Sequence, residues 1–292
     1  MNLILIIQSI INGLILGSFY VLVAISLSLI YGVLDVLNWA IGDFAMLGGY
    51  ILLMFLYIGI PPALGLIPAL VIAFIFGVFA YLICIRRLEK AEPEKMGILS
   101  TIVTFGLSVF LQNVSLIVFG PTYRNIPNFL EGTFNFSGVI ITSQRLLNFI
   151  VSVSLTVSLW LFLKKTRTGM AIRAVAQNRE AAALMGISTS RIYLITFSIS
   201  SMLAAAAGML LGPITMIFPT VGNLMVLQVF AVVVLGGLGS VGGAIFGGFL
   251  VGLAESFGVL FLTSSWKDLF AFAIIMIVLI IRPTGFFGVR KR

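Results

Sequence analysis

Three acidic side chains in this 292-residue sequence lie in or beside long apolar stretches. Asp35 and Asp43 flank a short turn, and Glu255 lies well inside an apolar segment. An ionisable group inside a membrane is costly, and it usually faces an ion or proton pathway or hydrogen-bonds a neighbouring helix. For Asp35 and Asp43, an interfacial charge is the simpler interpretation. For Glu255, a pathway role or an interhelical hydrogen bond stays open on one side, and a position near the membrane interface on the other.

Amide side chains are further candidates for polar contacts inside the apolar sequence. The alternative for Asp43 is that the segment 38–43, NWAIGD, forms a structured cytoplasmic turn near a transport pathway. Gln112, Asn113 and Gln228 lie within apolar segments. These three amides either hydrogen-bond neighbouring helices or line the pathway, and the first role is favoured.

The sequence argues against several kinds of chemistry. Cys84 is the only cysteine and there is no histidine, so an intrachain disulfide is excluded and a zinc site is not expected. The P-loop pattern G-x-x-x-x-G-K-[ST] is absent. Gly237, Gly239 and Gly242 match G-x-G-x-x-G, but they lie between apolar segments rather than between a strand and a helix. We expect these glycines to allow close helix packing, or to form a broken helix that lines a pathway.

The composition indicates which class of protein must position these groups. The chain is 61% hydrophobic and 9% charged, whereas a soluble domain is about a quarter charged. Too little polar surface remains to cover a soluble core, so we predict an all-α, polytopic membrane helix bundle. The net charge of +8 is explained by basic loops beside membrane spans rather than by nucleic-acid binding. Residues 1–292 are expected to form a single transmembrane domain.

The apolar stretches predict eight or nine transmembrane segments. The region 223–262 is interrupted by the glycine-rich stretch 236–243 and is expected to hold two of them. The other segments are expected at 5–34, 43–58, 61–85, 97–119, 146–163, 192–213 and 269–281.

The basic residues predict the orientation of the chain. Fourteen of the 17 lysines and arginines lie in 86–95, 164–191 and 282–292. Placing these stretches in the cytoplasm gives an extracytoplasmic N-terminus and a cytoplasmic C-terminus. This arrangement requires an odd number of full crossings. Nine segments satisfy it, and eight segments satisfy it only if one of them is re-entrant, for which the short stretch 223–235 is the natural candidate. The stretch 120–145 then lies outside, as a turn-rich hairpin or loop that serves as a connector or a partner surface.

A polar island at 164–191 interrupts the apolar sequence with six basic residues and one acid. Its alanine-rich part, 169–186, is typical of a helix, and Gly186 is suited to end that helix in a left-handed conformation. The island is either a solvated loop held in the cytoplasm by its charge or a docking surface.

The two faces of the predicted island helix differ in character. On helical spacing, Arg173 and Glu180 share a polar face. The opposite face consists of Ile172, Val175, Ala176, Ala182 and Ala183. Small side chains let another surface approach closely, and flanking charges fix its register, so this pattern favours the docking surface.

Four stretches resemble the branched-chain amino-acid permeases of ATP-binding-cassette (ABC) importers, the LivH type. The sequence EAAALMG at 180–186 is similar to the EAA-x-x-x-G coupling motif, with Glu180, Ala181, Ala182 and Gly186 in place. In chain order, the similar stretches are 12–50, 100–113, 173–212 and 234–256. One motif departs from the family, which commonly has Asn-Phe-Ala-His-Gly-Glu where this chain has NWAIGD. The acid is kept as Asp43, and Ile41 replaces the histidine.

The resemblance implies a permease subunit for branched-chain amino acids in a bacterial or archaeal plasma (inner) membrane. Such a subunit is a multi-pass protein, not an enzyme, and needs no cofactor. ATP hydrolysis belongs to separate cytoplasmic ATPase subunits, which would contact the coupling loop 164–191 through Arg173, Glu180, Ala181, Ala182 and Gly186. The other implied partners are an extracytoplasmic substrate-binding protein and a second permease subunit, identical or homologous.

Three alternatives stay open at this point. The nearest is an ABC permease for urea or short amides. A second is a secondary transporter coupled to protons or ions through Asp35, Asp43 or Glu255, which would not need the island. The third is a membrane scaffold protein that transports nothing.

Overall fold

The computed structural model describes residues 3–136, 138–261, 273, 276–278, 280, 282 and 285–288. Its helices are α1 (Leu3–Leu34), α2 (Ile41–Tyr57), α3 (Pro62–Ala80), α4 (Pro93–Phe119), α5 (Ser143–Lys165), α6 (Arg167–Gln177), α7 (Arg179–Leu184), α8 (Thr189–Leu211), α9 (Val221–Gly236) and α10 (Val241–Phe261). A π-helical turn at Tyr81–Ile85 extends α3, and a 3-10 turn covers Leu88–Lys90. Strands β1 (Thr133–Phe136) and β2 (Val139–Thr142) form a hairpin.

Six helices in the described part of the chain are long and apolar enough to cross a membrane: α1, α3 with its π-helical turn, α4, α5, α8 and α10. Two further apolar helices are shorter, α2 with 17 residues and α9 with 16. The predicted all-α membrane architecture is confirmed, and these helices match the expected segments closely. The expected last segment, 269–281, falls outside the described residues except at 273, 276–278 and 280.

Helix α1 lies at the centre of the bundle, and α10 packs along it with the two backbones in contact. A side chain added at Gly252 of α10 would overlap the backbone of Gly17 in α1. Helices α2 and α8 approach each other in the same way, because a Cβ at Gly48 would overlap the carbonyl of Ala205. Small residues at these crossings allow the close packing that holds membrane helices together.

The connection from α1 to α2 returns into the bundle instead of crossing its surface. Asn38 is completely buried. The hydroxyl of Thr104 donates to the Leu37 carbonyl (3.3 Å) and accepts from the Trp39 amide (3.3 Å). Because Thr104 lies near the middle of α4, helix α2 begins at mid-depth. The segment 38–43 therefore lies inside the bundle and not at its surface. The Thr104 hydroxyl replaces water as the hydrogen-bond partner of the buried backbone groups of Leu37 and Trp39.

Helix α9 is also preceded by an irregular segment, 212–220. Ile217 in this segment exchanges two backbone hydrogen bonds with Arg124, each 2.8 Å long. The first turn of α9 then meets the first turn of α2, since a Cβ at Gly42 would overlap the Gly222 carbonyl. The two short helices thus touch at their N-termini inside the bundle.

The stretch after α4 contains the antiparallel β1–β2 hairpin, with Thr133 opposite Thr142 and Phe136 opposite Val139. This confirms the expectation of a folded, turn-rich hairpin or loop at 120–145. Gln8 in the first turns of α1 donates to the Ile140 carbonyl and accepts from the Ile140 amide, both at 3.0 Å. The hairpin is therefore tied to the N-terminal end of α1.

Candidate functional site

Three polar side chains from α2, α4 and α9 form a hydrogen-bonded cluster within the bundle. Asp43, in the first turn of α2, is 0% exposed. The amide nitrogen of Gln112 donates to Asp43 Oδ1 (2.9 Å) and to Asn223 Oδ1 (2.8 Å). Asn223 Nδ2 donates back to Gln112 Oε1 (3.1 Å), so the two amides form a reciprocal pair. We call Asp43, Gln112 and Asn223 the polar cluster.

The N-termini of α2 and α9 set the electrostatics of the polar cluster. Each helix N-terminus carries roughly half of a positive elementary charge, so two of them together favour one negative charge at this position. A Cβ built on Gly222 would lie 2.5 Å from Asp43 Oδ1, which places the carboxyl group against the first turn of α9. Asp43 Oδ2 is buried and has no hydrogen-bond partner among the described residues. Asp43 Oδ2 can therefore accept a hydrogen bond from one more donor.

The structure brings together only some of the residues proposed from the sequence. Asp43 and Gln112 meet, so the interfacial position expected for Asp43 is wrong: the chain carries it inward with the start of α2. Asn38 shapes that start, because its Oδ1 accepts from the Ala40 amide (3.0 Å). Asn113 donates to the Val109 carbonyl of its own helix (2.8 Å) and lies outside the polar cluster. Asn223 was not predicted from the sequence, although a polar residue at the start of a short apolar segment is a signal that could have identified it.

Glu255 lies in a different part of the bundle. Its side chain is 2% exposed and faces α1, where the Tyr20 hydroxyl donates to Glu255 Oε2 (2.7 Å). The adjacent Ser256 hydroxyl donates to the Ser9 carbonyl of α1 (2.7 Å). Glu255 therefore makes an interhelical hydrogen bond, as one of the expectations had it, and it does not join the polar cluster.

The glycine-rich stretch 236–243 forms the tight connection between α9 and α10. Gly237 (φ 101°) and Gly239 (φ 80°) adopt left-handed conformations that disfavour side chains. Gly236 and Gly243 bring their backbones into contact, whereas a Cβ at Gly242 would meet open space. The helical chain is interrupted here between α9 and α10, and close backbone approach accounts for Gly236 and Gly243.

An apolar cavity of about 300 Å³ lies between α1, α8 and α9. Its polar side chains include Tyr20, Thr215 and Gln228. Its apolar lining includes Leu16, Phe19, Val23, Leu211, Met216, Phe218, Leu224 and Met225. The cavity adjoins the same short helix α9 that begins at the polar cluster, but on the opposite side of that helix.

The polar island folds as two short helices rather than the single helix expected over 169–186. Thr166 caps α6 by accepting from the Gly169 amide (2.9 Å), and Asn178 caps α7 by accepting from the Ala181 amide (2.9 Å). Asparagine is among the best N-cap residues because its side chain satisfies an amide that the helix leaves unbonded. This capping explains the break at Asn178 within an otherwise helical pattern.

The faces of this helix pair also differ from the expectation. Ile172, Val175 and Ala182 are buried against the protein's own core, so they are not free to contact a partner. Arg173, Glu180 and Ala181 are exposed. At the end of α7, Leu184 is 89% exposed and Met185 is 83% exposed. Ala176 and Ala183 of the predicted docking face are exposed as well. The accessible surface thus combines charged and small side chains, and it ends in two apolar side chains that the sequence argument missed.

A polar contact ties the island to the ends of α3 and α8. The Tyr81 hydroxyl hydrogen-bonds Glu89 and donates to the Ser190 carbonyl at the start of α8 (3.0 Å). Burial raises the pKa of the Glu89 carboxyl group, while a hydrogen bond from Ser190 and the charge of Arg179 act in the opposite direction. Arg179 is the one half-buried basic residue of 164–191, and its positive charge acts on the Glu89 carboxyl group.

Long apolar helices around an intramembrane polar cluster, with a charged helix pair at one end, define a polytopic membrane protein of the permease class. The family described as "Branched-chain amino acid transport system / permease component" matches residues 9–279, and the chain belongs to this family. The resemblance inferred from the sequence motifs is confirmed.

Relatives from bacteria and an archaeon match nearly the whole chain. It is 35% identical to the high-affinity branched-chain amino acid transport system permease protein BraD of Pseudomonas aeruginosa, over 96% of this chain and 95% of that protein. The corresponding permease protein LivH of Escherichia coli is 33% identical over the same shares. A probable branched-chain amino acid transport permease protein LivH of Methanocaldococcus jannaschii is 30% identical, over 95% of this chain and 91% of the relative.

Proposed function

We propose that this chain is the membrane permease subunit of an ABC importer and carries branched-chain amino acids across the membrane. The observation that carries the proposal is the match of nearly the whole chain to permease proteins of branched-chain amino acid transport systems. The apolar cavity between α1, α8 and α9 supports it, because ligand pockets are mostly apolar with a few polar groups that fix orientation.

The α6–α7 pair is the proposed docking surface for a separate ATPase. Glu180 and Arg173 are exposed to set the register, and Leu184 and Met185 project from the end of α7 as apolar anchors. Ala182 is buried against the core beneath them and transmits movement inward. Closure of the ATPase would thus push on α7 and, through Gly186, on α8.

The proposed topology has nine crossings, an extracytoplasmic N-terminus and a cytoplasmic C-terminus. The hairpin contacts the N-terminal end of α1, and α6 packs near its C-terminal end, so the two lie on opposite sides of the bundle. Two crossings, 36–57 and 212–236, each consist of an irregular segment followed by a short helix. With the six long helices and the expected segment 269–281, these two make nine.

The proposed partners follow from this orientation. The ATPase subunits meet the cytoplasmic island, and a substrate-binding protein meets the side that carries the hairpin. A second permease subunit, identical or homologous, completes the membrane unit in the plasma (inner) membrane of a bacterium or archaeon.

Uptake of radiolabelled leucine by a strain that lacks this gene tests the proposal. We expect uptake to return when the gene is restored, and unlabelled valine or isoleucine to compete for it. If urea or acetamide competes and valine does not, the chain is instead a permease for urea or amides. If restoring the gene returns no uptake of any of these compounds, the proposed function is wrong.

A further inference from the structure

We propose that Gln112 and Asn223 form a latch over Asp43, and that Asp43 receives the α-ammonium group of the transported amino acid when this latch opens. The proposal deepens the proposed function and rests on it for the class of substrate. Its basis is the geometry of the polar cluster, whose three residues lie on α2, α4 and α9.

The latch is the reciprocal amide pair that joins α4 to α9. Gln112 and Asn223 exchange hydrogen bonds of 2.8 and 3.1 Å, and the same Gln112 nitrogen donates to Asp43. Asn223 is exposed, Gln112 is half-buried and Asp43 is fully buried, so the amides lie between the carboxyl group and the surface. Separation of α4 from α9 would break both hydrogen bonds between the Gln112 and Asn223 side chains and would uncover Asp43.

The outer side of the latch lies at a depth where polar side chains do not face lipid. Gln112 is in the apolar helix α4, about 10 Å before its end at Phe119 on the usual helical rise. The neighbouring side chains on α4, Val109 and Phe110, are exposed and apolar. Amides at such a position usually face a protein partner or an aqueous cavity, so we assign this face to the translocation pathway.

Asp43 offers a buried hydrogen-bond acceptor for the ammonium group of an amino acid. Its Oδ2 atom is buried and has no partner among the described residues, and a buried acceptor without a donor is costly. An ammonium group has three donors and one positive charge, which suit that oxygen. The N-terminal turn of α9, beside Asp43, stabilises the negative charge of the Asp43 carboxylate, with which the ammonium group then pairs. Glu255, the other buried acid among the described residues, lies well inside α10 rather than in the first turn of a helix.

Reversible cross-linking tests the latch. In a Cys84→Ser background, Gln112→Cys and Asn223→Cys are joined with a short bis-methanethiosulfonate reagent in cells that take up leucine. We expect the initial rate of uptake to fall at least about tenfold and to recover on reduction, because the open state carries the transport. The matched control joins Val109→Cys and Asn113→Cys within α4, since Asn113 bonds Val109 of its own helix. This cross-link leaves α4 free to separate from α9, so it should leave a much larger share of uptake.

Substrate protection tests the role of Asp43. The purified permease complex with Asn223→Cys in the Cys84→Ser background is labelled with a thiol reagent. Leucine should slow labelling, whereas 4-methyl-2-oxopentanoate, which lacks the ammonium group, should not. Asp43→Asn should abolish protection by leucine and lower leucine uptake at least about tenfold, because one charged hydrogen bond is lost. Asp43→Glu should retain part of both.

The outcomes separate this proposal from the proposed function. Absence of leucine uptake by the unmodified chain would overturn the function itself. If that chain transports leucine but neither the cross-link nor Asp43→Asn changes uptake, the latch is wrong and the function stands. If Asp43→Asn does not fold, the cross-link, which keeps Asp43 in place, still decides whether the latch must open.

Discussion

Gly186 lies in the turn that connects α7 of the island to α8, and its conformation sets the direction in which α8 leaves the island. Its φ of 81° is left-handed, and the Ile187 amide donates to the Ala182 carbonyl (3.1 Å) while the Gly186 amide donates to the Ala183 carbonyl (3.0 Å). This pair of bonds is the Schellman arrangement that ends helices at glycine. The left-handed turn at Gly186 could be predicted from the sequence, because the preference of such a turn for glycine depends only on the residue at that position.

Substitution of Gly186 by valine tests whether that turn transmits movement. A β-branched residue in a left-handed conformation costs about 1–3 kcal/mol, so α7 should tilt relative to α8. We expect Gly186→Val to reach the membrane at normal levels and to lose both ATP-dependent uptake and co-purification of the ATPase. Glu180→Lys should weaken co-purification as well, because it reverses an exposed charge on the docking face.

Asn178 provides the matched controls for that experiment. Asn178→Ser keeps an N-cap oxygen for the Ala181 amide and should transport normally, whereas Asn178→Ala should destabilise α7 by about 1 kcal/mol. Wild-type transport by Gly186→Val and by Glu180→Lys, with the ATPase still bound, would mean that the island is a solvated loop.

Glu255 gives a second prediction at this scale. Glutamine can still accept the hydrogen bond from the Tyr20 hydroxyl, but leucine cannot. We therefore expect Glu255→Leu to lower stability by about 1–3 kcal/mol relative to Glu255→Gln, measured as thermal unfolding in detergent. The opposite pattern, normal folding of Glu255→Gln with transport abolished and uptake sensitive to a protonophore at constant ATP, would identify a proton-coupling acid.

At the scale of elements, the helices could be predicted from the sequence, but the depth at which two of them begin could not. Apolar length alone identifies α1, α3, α4, α5, α8 and α10. The start of α2 depends on Thr104, more than 60 residues further along the chain, and on contact between Gly42 and Gly222. Such long-range contacts leave no periodic pattern in the sequence. The break at Asn178 did leave a local signal, the capping asparagine.

Contact between α2 and α8 can be tested with alanine. A methyl group at Gly48 would overlap the carbonyl of Ala205, so Gly48→Ala should destabilise the protein by about 1–3 kcal/mol. Gly106→Ala in α4 meets open space and should be neutral or stabilise by up to about 1 kcal/mol. Thermal unfolding of the two variants in the same detergent makes the comparison, and equal stability would rule out the backbone contact at Gly48.

At the scale of the whole molecule, charge and composition predicted the membrane class, and ordered motifs predicted the family. The polar cluster could be predicted only in part. Asp43 and Gln112 were candidates because polar groups are rare in apolar segments, but nothing in the sequence links them to each other or to Asn223. Their meeting depends on where α2 and α9 begin, which is a property of the complete fold.

The proposed orientation makes a direct prediction for labelling of intact cells. A tag inserted in 125–135 should react with an impermeant reagent, because the hairpin side is outside on this topology. A tag in 164–191, or a reporter fused after Arg292, should be protected until the membrane is opened, since most of the basic residues lie in these stretches. Labelling of the 164–191 tag in intact cells would reverse the orientation.

The central claim, that this chain is an ABC permease subunit for branched-chain amino acids, is tested most directly in proteoliposomes. The measurement is uptake of radiolabelled leucine by the reconstituted permease with its ATPase and its substrate-binding protein, with and without ATP. The account predicts accumulation that requires ATP, is unchanged by a protonophore and is lost in Gly186→Val. Accumulation of leucine driven by a proton gradient in the absence of ATP would contradict it.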